Sequence, residues 1–185
     1  LKIENQGVCP PEALTILGVT FSRNSDNAQT IGQFGSGSKH AVGVLLRHDL
    51  NPVVFSDLLR MEYFAKPLKV TSEAHGTNTF RQVCCRMTGT LRGKSVSRTE
   101  DLGFALEYGV QDWSAVSMAL REFVSNAIDQ SIALGGDWKG VKVEIADTVR
   151  AKAGTTRVYV PLSPEVNRFY QDLGKWFLHF SEPGL

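Results

Sequence analysis

The sequence ALREFVSNAIDQS, residues 119–131, lies inside a stretch that predicts one long helix from about residue 113 to residue 134. Glu122, Asn126 and Asp129 recur at i, i+4 and i+7, which places them along one face of that helix. A polar stripe is usual on a helix whose other face packs on a sheet. An amide oxygen beside a carboxylate also suits Mg²⁺, with the carboxylate free to orient or deprotonate a water. Both interpretations stay open on this stretch alone. The opposite arc is apolar: Leu120, Phe123, Val124, Ala127 and Ile128.

A second stretch, TIGQFGSGSKHA at residues 30–41, is a glycine-rich loop followed by a predicted helix. Ser38 separates the last glycine from Lys39, so the spacing of a Walker phosphate loop is absent. His40 stands where a dinucleotide fingerprint needs its third glycine. The remaining pattern, G-x-x-G-x-G before a helix, can bind an anion through free N–H groups and the positive helix end. A plain glycine-rich turn is the alternative.

Outside these two stretches, the chain alternates short strand patterns with a few predicted helices, and it contains no internal repeat or linker. These patterns predict an α+β fold: a two-layer sandwich of a mixed, largely antiparallel sheet with helices on one face. We expect a single domain over residues 1–185. Residues 1–50 carry the glycine-rich loop, 51–110 strands joined by a hairpin at TGTLRGKS, and 111–185 the long helix, further strands and a final helix.

Composition is that of an ordinary globular domain, with 42% hydrophobic and 21% charged residues. The net charge of +1 provides no global attraction to nucleic acid or membranes. The three cysteines, Cys9, Cys84 and Cys85, lack metal-ligand spacing and fit buried or half-buried thiols in a reducing compartment. No apolar run is long enough to cross a bilayer, so we expect a cytoplasmic protein without a membrane partner.

Together the two stretches resemble the GHKL ATPases, the superfamily of gyrase B, heat-shock chaperones and histidine kinases that shares the Bergerat fold. The helical motif of that family, E-x-x-x-N-A-x-D, is similar to Glu122 through Asp129, and its G-x-x-G-x-G lid is similar to residues 32–37. The resemblance implies ATP and Mg²⁺ as ligands, Glu122 as the general base and Asn126 as the Mg²⁺ ligand. The loop residues implied to surround the triphosphate are Gly32, Gln33, Phe34, Gly35, Ser36, Gly37, Ser38 and Lys39.

The family also has a D-x-G-x-G motif after a strand, whose aspartate accepts a hydrogen bond from adenine. IENQGVCPPEALTILG is the counterpart here, with Asn5 at the adenine position, Gly7 as one glycine and Cys9 in place of the other. Glu4 is the alternative acceptor, although strand geometry turns it to the other face. A threonine from a Gly-Thr pair often joins that network. Three pairs qualify equally: Gly76-Thr77, Gly89-Thr90 and Gly154-Thr155.

The motifs occur in a rotated order, with the adenine motif and lid before the helical motif, so the resemblance implies a circularly permuted Bergerat fold. We expect Mg²⁺-dependent ATP binding and slow hydrolysis, with lid closure driving a conformational or assembly change. The alternatives are a nucleotide sensor without turnover and a phosphotransferase. An ATP-dependent homodimer or a protein client are the expected partners. Nucleic-acid binding stays open on a scattered basic run alone: Arg81, Arg86, Arg92, Lys94 and Arg98.

Overall fold

A computed structural model describes residues 1–16 and 37–177 of the chain. Seven strands form a single sheet: β1 (Lys2–Gln6), β2 (Val53–Ser56), β3 (Leu59–Ser72), β4 (Gly76–Leu91), β5 (Lys94–Ala105), β6 (Lys142–Glu144) and β7 (Thr155–Tyr159). Five helices accompany it: α1 (Pro11–Thr15), α2 (Gly37–Arg47), α3 (Val116–Ala133), α4 (Pro164–Gln171) and α5 (Leu173–Trp176). A short 3₁₀ turn lies at Trp138–Gly140.

The strand order across the sheet is β5-β4-β3-β2-β7-β1-β6, and every described pairing is antiparallel. β7 lies between β1 and β2, so the strand formed late in the chain joins its first strand to the central hairpins. The prediction of an α+β sandwich with a largely antiparallel sheet is therefore confirmed. The sheet places the end of β1 opposite the start of β7, with Asn5 paired to Thr156.

The core lies between the sheet and helices α2 and α3. Alternate residues of each strand face this layer because the side-chain period of a strand is two. In the paired register, Ile3, Val158, Val54 and Met61 follow one another across neighbouring strands, and all are buried. Both helices turn apolar arcs inward, with Val44 and Leu45 on α2, and Leu120 and Val124 on α3. The predicted helix at 113–134 is confirmed as α3, three residues shorter at its start.

The residues on the opposite face of the same strands form a buried ionic cluster. Glu4 lies 2.9 Å from Lys2 Nζ, 3.2 Å from Lys152 Nζ and 3.0 Å from Arg157 Nε. Arg157 Nε makes no hydrogen bond, so its contact with Glu4 is ionic only. Burial raises the pKa of the Glu4 carboxyl, but the Lys2 and Lys152 ammonium groups outweigh burial and hold this pKa at about 2. The cluster thus keeps Glu4 ionised at every ordinary pH.

The hairpin predicted at TGTLRGKS is present, but most of this stretch belongs to the two strands and not to the turn. β4 runs to Leu91 and β5 begins at Lys94, so only Arg92 and Gly93 form the turn. Both have positive φ, 51° and 77°, which is the geometry of a two-residue hairpin loop that matches the strand twist. β3 and β4 also extend past the end of β5. The three thiols are free, with Cys84 and Cys85 buried and Cys9 half-buried, as predicted.

Within residues 1–16 and 37–177, none of the helices combines the length and the apolar character that crossing a membrane requires.

Candidate functional site

The polar stripe of α3 faces inward instead of towards solvent. Asp129 is 5% exposed, while Glu122 and Asn126 are half-buried. Asn126 Nδ2 donates a hydrogen bond to Glu122 Oε1 at 3.1 Å, one helical turn away. Burial raises the pKa of Glu122, and Asp129 raises it further, whereas the Asn126 bond and the Lys39 ammonium lower it. A partly desolvated carboxylate with a raised pKa is a base better matched to neutral pH than an exposed one.

The glycine-rich loop ends against this carboxylate. Gly37 is the first residue of α2, and a Cβ added there would overlap Glu122 Oε1. Glycine therefore lets the start of α2 approach the Glu122 carboxylate without displacing it. The close approach brings the two motifs, far apart in the sequence, into one place. Glu122 thus lies beside the start of α2, which is the positive end of the α2 dipole.

Lys39 lies in the first turn of α2 and is almost completely buried, with 1% exposure. Its ammonium donates to the carbonyl of Ala13 on α1, and Ser38 Oγ lies 3.5 Å from the same oxygen. Burial lowers the pKa of Lys39 to about 8, although Cys9 and Glu122 act in the opposite direction. These contacts join the first turn of α2 to the middle of α1.

Asn5 and Gly7 lie at the end of β1, against α3. Asn5 Nδ2 donates to Gln130 Oε1 at 2.8 Å and to the Gln6 carbonyl at 2.7 Å. Gly7 has φ 97°, and a Cβ there would overlap Leu134 Cδ1. Glycine is required at this position both for its backbone angle and for the close approach to α3. The two predicted adenine-motif residues are thus adjacent to the helix that carries Glu122.

The alternatives named for this motif lie in different parts of the fold. Glu4, the alternative acceptor, is on the opposite face in the ionic cluster with Lys2 and Arg157. Among the Gly-Thr pairs, Gly76-Thr77 forms the β3–β4 hairpin end and Gly89-Thr90 lies in β4 beside the Leu58 carbonyl. Gly154-Thr155 alone adjoins β1.

Two residues of this site were missed by the sequence prediction. Thr156, the residue after the third pair, is opposite Asn5, accepts from the Cys9 N–H at 3.0 Å and donates to the Gly7 carbonyl at 2.9 Å. Gln130 is the second, since it holds Asn5. The repeated threonine at 155–156 and the position of Gln130 directly after Asp129 were visible in the sequence, but only the pairing of β1 with β7 and α3 gives them a role.

The donor set at the α3 stripe fits the ion that the resemblance implies. Because Asn126 Nδ2 is bonded to Glu122, Asn126 Oδ1 is the end of the amide available as a ligand. Mg²⁺ usually takes one or two protein oxygens and completes its shell with water and phosphate. Among the described residues there is no group of three or more His, Cys, Asp and Glu placed to hold a metal. Gly32, Gln33, Phe34, Gly35 and Ser36 lie outside the described residues.

No protein-family model, curated protein or solved structure matches this chain.

Proposed function

We propose that the chain binds Mg²⁺-ATP between α3, the start of α2 and the end of β1, and that it hydrolyses ATP slowly. The observation that carries the proposal is the meeting of Gly37 with Glu122. This contact brings the start of α2, where backbone N–H groups have no partner within the helix, next to the partly desolvated carboxylate of Glu122 on α3. Asn5 and Gly7 lie against the same helix, so the described residues of the three motifs adjoin one another.

In this proposal, each residue of the site has a role that follows from its chemistry. Glu122 accepts a proton from the attacking water, and Asn126 holds Glu122 in place and offers Oδ1 to Mg²⁺. The α2 N–H groups and the Lys39 ammonium balance the charge of the phosphates. Bound Mg²⁺ would supply charge neutralisation at the phosphate oxygens. Closure of the glycine-rich loop would exclude water and is the expected slow step.

The first test is calorimetric titration with a non-hydrolysable ATP analogue, with and without Mg²⁺, on the wild-type chain and Asn126→Ala. We expect Mg²⁺-dependent binding in the wild type that Asn126→Ala removes. Asn167→Ala, on the exposed side of α4, is the matched control and should bind like the wild type. Absence of binding by the wild type at millimolar analogue would overturn the proposal.

Turnover is tested separately with Glu122→Gln, which keeps the shape and the Asn126 contact but cannot take a proton. Phosphate release should fall by about 10²–10⁴-fold while analogue binding is kept, the usual contribution of a general base. Equal, near-zero turnover in both proteins, with binding intact, would leave the nucleotide-sensor alternative. Transfer of the terminal phosphate to another substrate instead of water would favour the phosphotransferase.

A further inference from the structure

Asn5 stands where the family pattern has a carboxylate, and its surroundings fix which end of its amide is presented. The Gln6 carbonyl is 2.7 Å from one terminal atom of the Asn5 amide. A backbone carbonyl can only accept a hydrogen bond, so this atom is the nitrogen. The orientation of the amide follows from the main chain, without reference to any other side chain.

Gln130 uses the second hydrogen of the same nitrogen. Its Oε1 lies 2.8 Å from Asn5 Nδ2, so both amide hydrogens of Asn5 are bonded within the protein. Gln130 also lies close to Gly7, since a Cβ added to Gly7 would stand 3.2 Å from Gln130 Nε2. The glycine of the adenine motif therefore leaves room for the glutamine that orients Asn5.

Asn5 Oδ1 is left as a hydrogen-bond acceptor without a partner among the described residues. It also keeps contact with solvent. The one fully buried side-chain nitrogen or oxygen without a hydrogen bond, over residues 1–16 and 37–177, is Arg157 Nε on the other face of the sheet. Asn5 therefore offers an acceptor and no donor to a ligand at the end of β1.

We propose, resting on the function proposed above, that Gln130 is a positioning residue for base selection. Together with the Gln6 carbonyl, Gln130 holds the Asn5 amide so that Oδ1 is the atom that meets the base. This selects a base with an exocyclic amino group, adenine, over one with a carbonyl there, guanine. A guanine O6 would face Oδ1 as a second acceptor, and we expect this acceptor pair without a proton to cost about tenfold in affinity, about 1.4 kcal/mol.

The same geometry gives a result opposite to the one the family pattern suggests. Asn5→Asp restores the family residue, yet its second oxygen would face the Gln6 carbonyl, which can only accept a hydrogen bond. We expect Asn5→Asp to bind the adenine nucleotide about tenfold more weakly than the wild type. Adding Gln130→Lys places a cation beside the new carboxylate oxygen and should recover most of the loss.

The experiment compares the dissociation constants of Mg²⁺ complexes of non-hydrolysable ATP and GTP analogues. The proteins are the wild type, Asn5→Asp, Asn5→Asp with Gln130→Lys, and Gln130→Leu. The wild type should prefer the adenine analogue about tenfold, and Gln130→Leu should reduce this ratio because Asn5 keeps only one anchor. Gln171→Leu, an exposed glutamine at the end of α4, is the control and should leave the ratio unchanged.

The outcomes separate the two proposals. A wild type that binds both analogues equally, or an Asn5→Asp protein that binds the adenine analogue as well as or better than the wild type, overturns base selection by Gln130 and leaves ATP binding standing. A wild type that binds neither analogue overturns the proposed function, and this inference with it. A change in affinity for both analogues alike in Gln130→Leu shows a merely structural role.

Discussion

Gly37 is the residue of the glycine-rich loop that contacts Glu122. Substituting it distinguishes an effect on stability from an effect on the proposed ATP hydrolysis. Gly37→Ala adds a methyl group against Glu122 Oε1, the far end of a flexible side chain that can move aside. We expect the midpoint temperature of unfolding to change little. Phosphate release should fall about 10²-fold or more, because the base is displaced.

The control for Gly37→Ala is in the same helix. Gly43→Ala meets only Arg47 Nη1 at 3.5 Å, an ordinary contact. Since alanine is favoured over glycine in a helix by about 1 kcal/mol, Gly43→Ala should stabilise the chain and leave turnover unchanged. Equal turnover in both variants would show that the contact of Gly37 with Glu122 has no catalytic consequence.

Glu122 is predicted to cost stability at neutral pH. Its pKa in the folded chain is raised by burial, so the folded state binds its proton more tightly than the unfolded state. The stabilisation that comes from binding this proton is therefore full below the unfolded pKa of 4.5, and it is lost as pH rises through the folded pKa of Glu122. Glu122→Gln should unfold at a higher temperature than the wild type at pH 7, by about 2–4 °C per kcal/mol gained. Thermal unfolding at pH 4 and pH 7 measures this, and a lower midpoint for Glu122→Gln at pH 7 would contradict it.

Lys39 gives the proposed site a pH dependence. Its pKa is about 8 in the folded chain, so it is substantially uncharged above that pH, and a triphosphate would favour its protonated form. Affinity for the ATP analogue should therefore fall as pH rises above about 8, with proton uptake on binding. Calorimetry at pH 8.5 in buffers of different ionisation heat measures the uptake. Lys39→Met should show none, and an absence of uptake in the wild type would contradict the role given to Lys39.

At the scale of elements, α2 is fastened to the loop between β5 and α3. Arg47 donates to the carbonyls of Leu106, at 2.7 Å, and Trp113. His40 stacks between Tyr108 and Trp113, with ring centroids 5.4 Å from each. The helix that begins at Gly37 is thus held in place along its length by the segment that leads into α3.

Removing the Arg47 hydrogen bonds should increase local opening of residues 106–113 at denaturant concentrations at which the chain as a whole stays folded. Arg47→Met leaves the two carbonyls without their charged donor, at about 1.5–3 kcal/mol for a hydrogen bond to a charged group. We expect faster amide hydrogen exchange over residues 106–113 and a lower urea midpoint. Arg121→Met, exposed on α3, is the control. Unchanged exchange in the loop would show that Arg47 does not hold it.

Elements were predictable where periodicity was strong and local. The apolar arc of Leu120, Val124 and Ile128 predicted α3, and alternation predicted the strands. The hairpin length was not predicted, because the turn needs positive φ at Arg92, a residue without a turn preference. Thr156 and Gln130 could not be predicted, since their roles depend on the pairing of β1 with β7 and with α3.

At the scale of the whole molecule, the ionic cluster under the sheet sets the acid limit of stability. The pKa of Glu4 is depressed to about 2, so its contribution is present above the unfolded pKa of 4.5 and is lost as pH falls towards 2. Glu4→Gln leaves Lys2 and Arg157, both buried, without their shared carboxylate. We expect a loss of about 2–4 kcal/mol at pH 7 that shrinks towards pH 2. Urea unfolding at both pH values checks this, and an equal loss at both would contradict it.

The position of β7 has a consequence for the newly made chain. β1 pairs only with β6 and β7 among the described strands, and both are synthesised more than a hundred residues later. At ribosomal rates of about 5–20 residues per second, β1 waits roughly 7–30 seconds for a neighbour. Throughout that interval Asn5 and Gly7 lack the strand and helix that fix them. The nascent chain therefore exposes an unpaired strand to chaperones and to other chains, and the proposed nucleotide site is among the last parts to form.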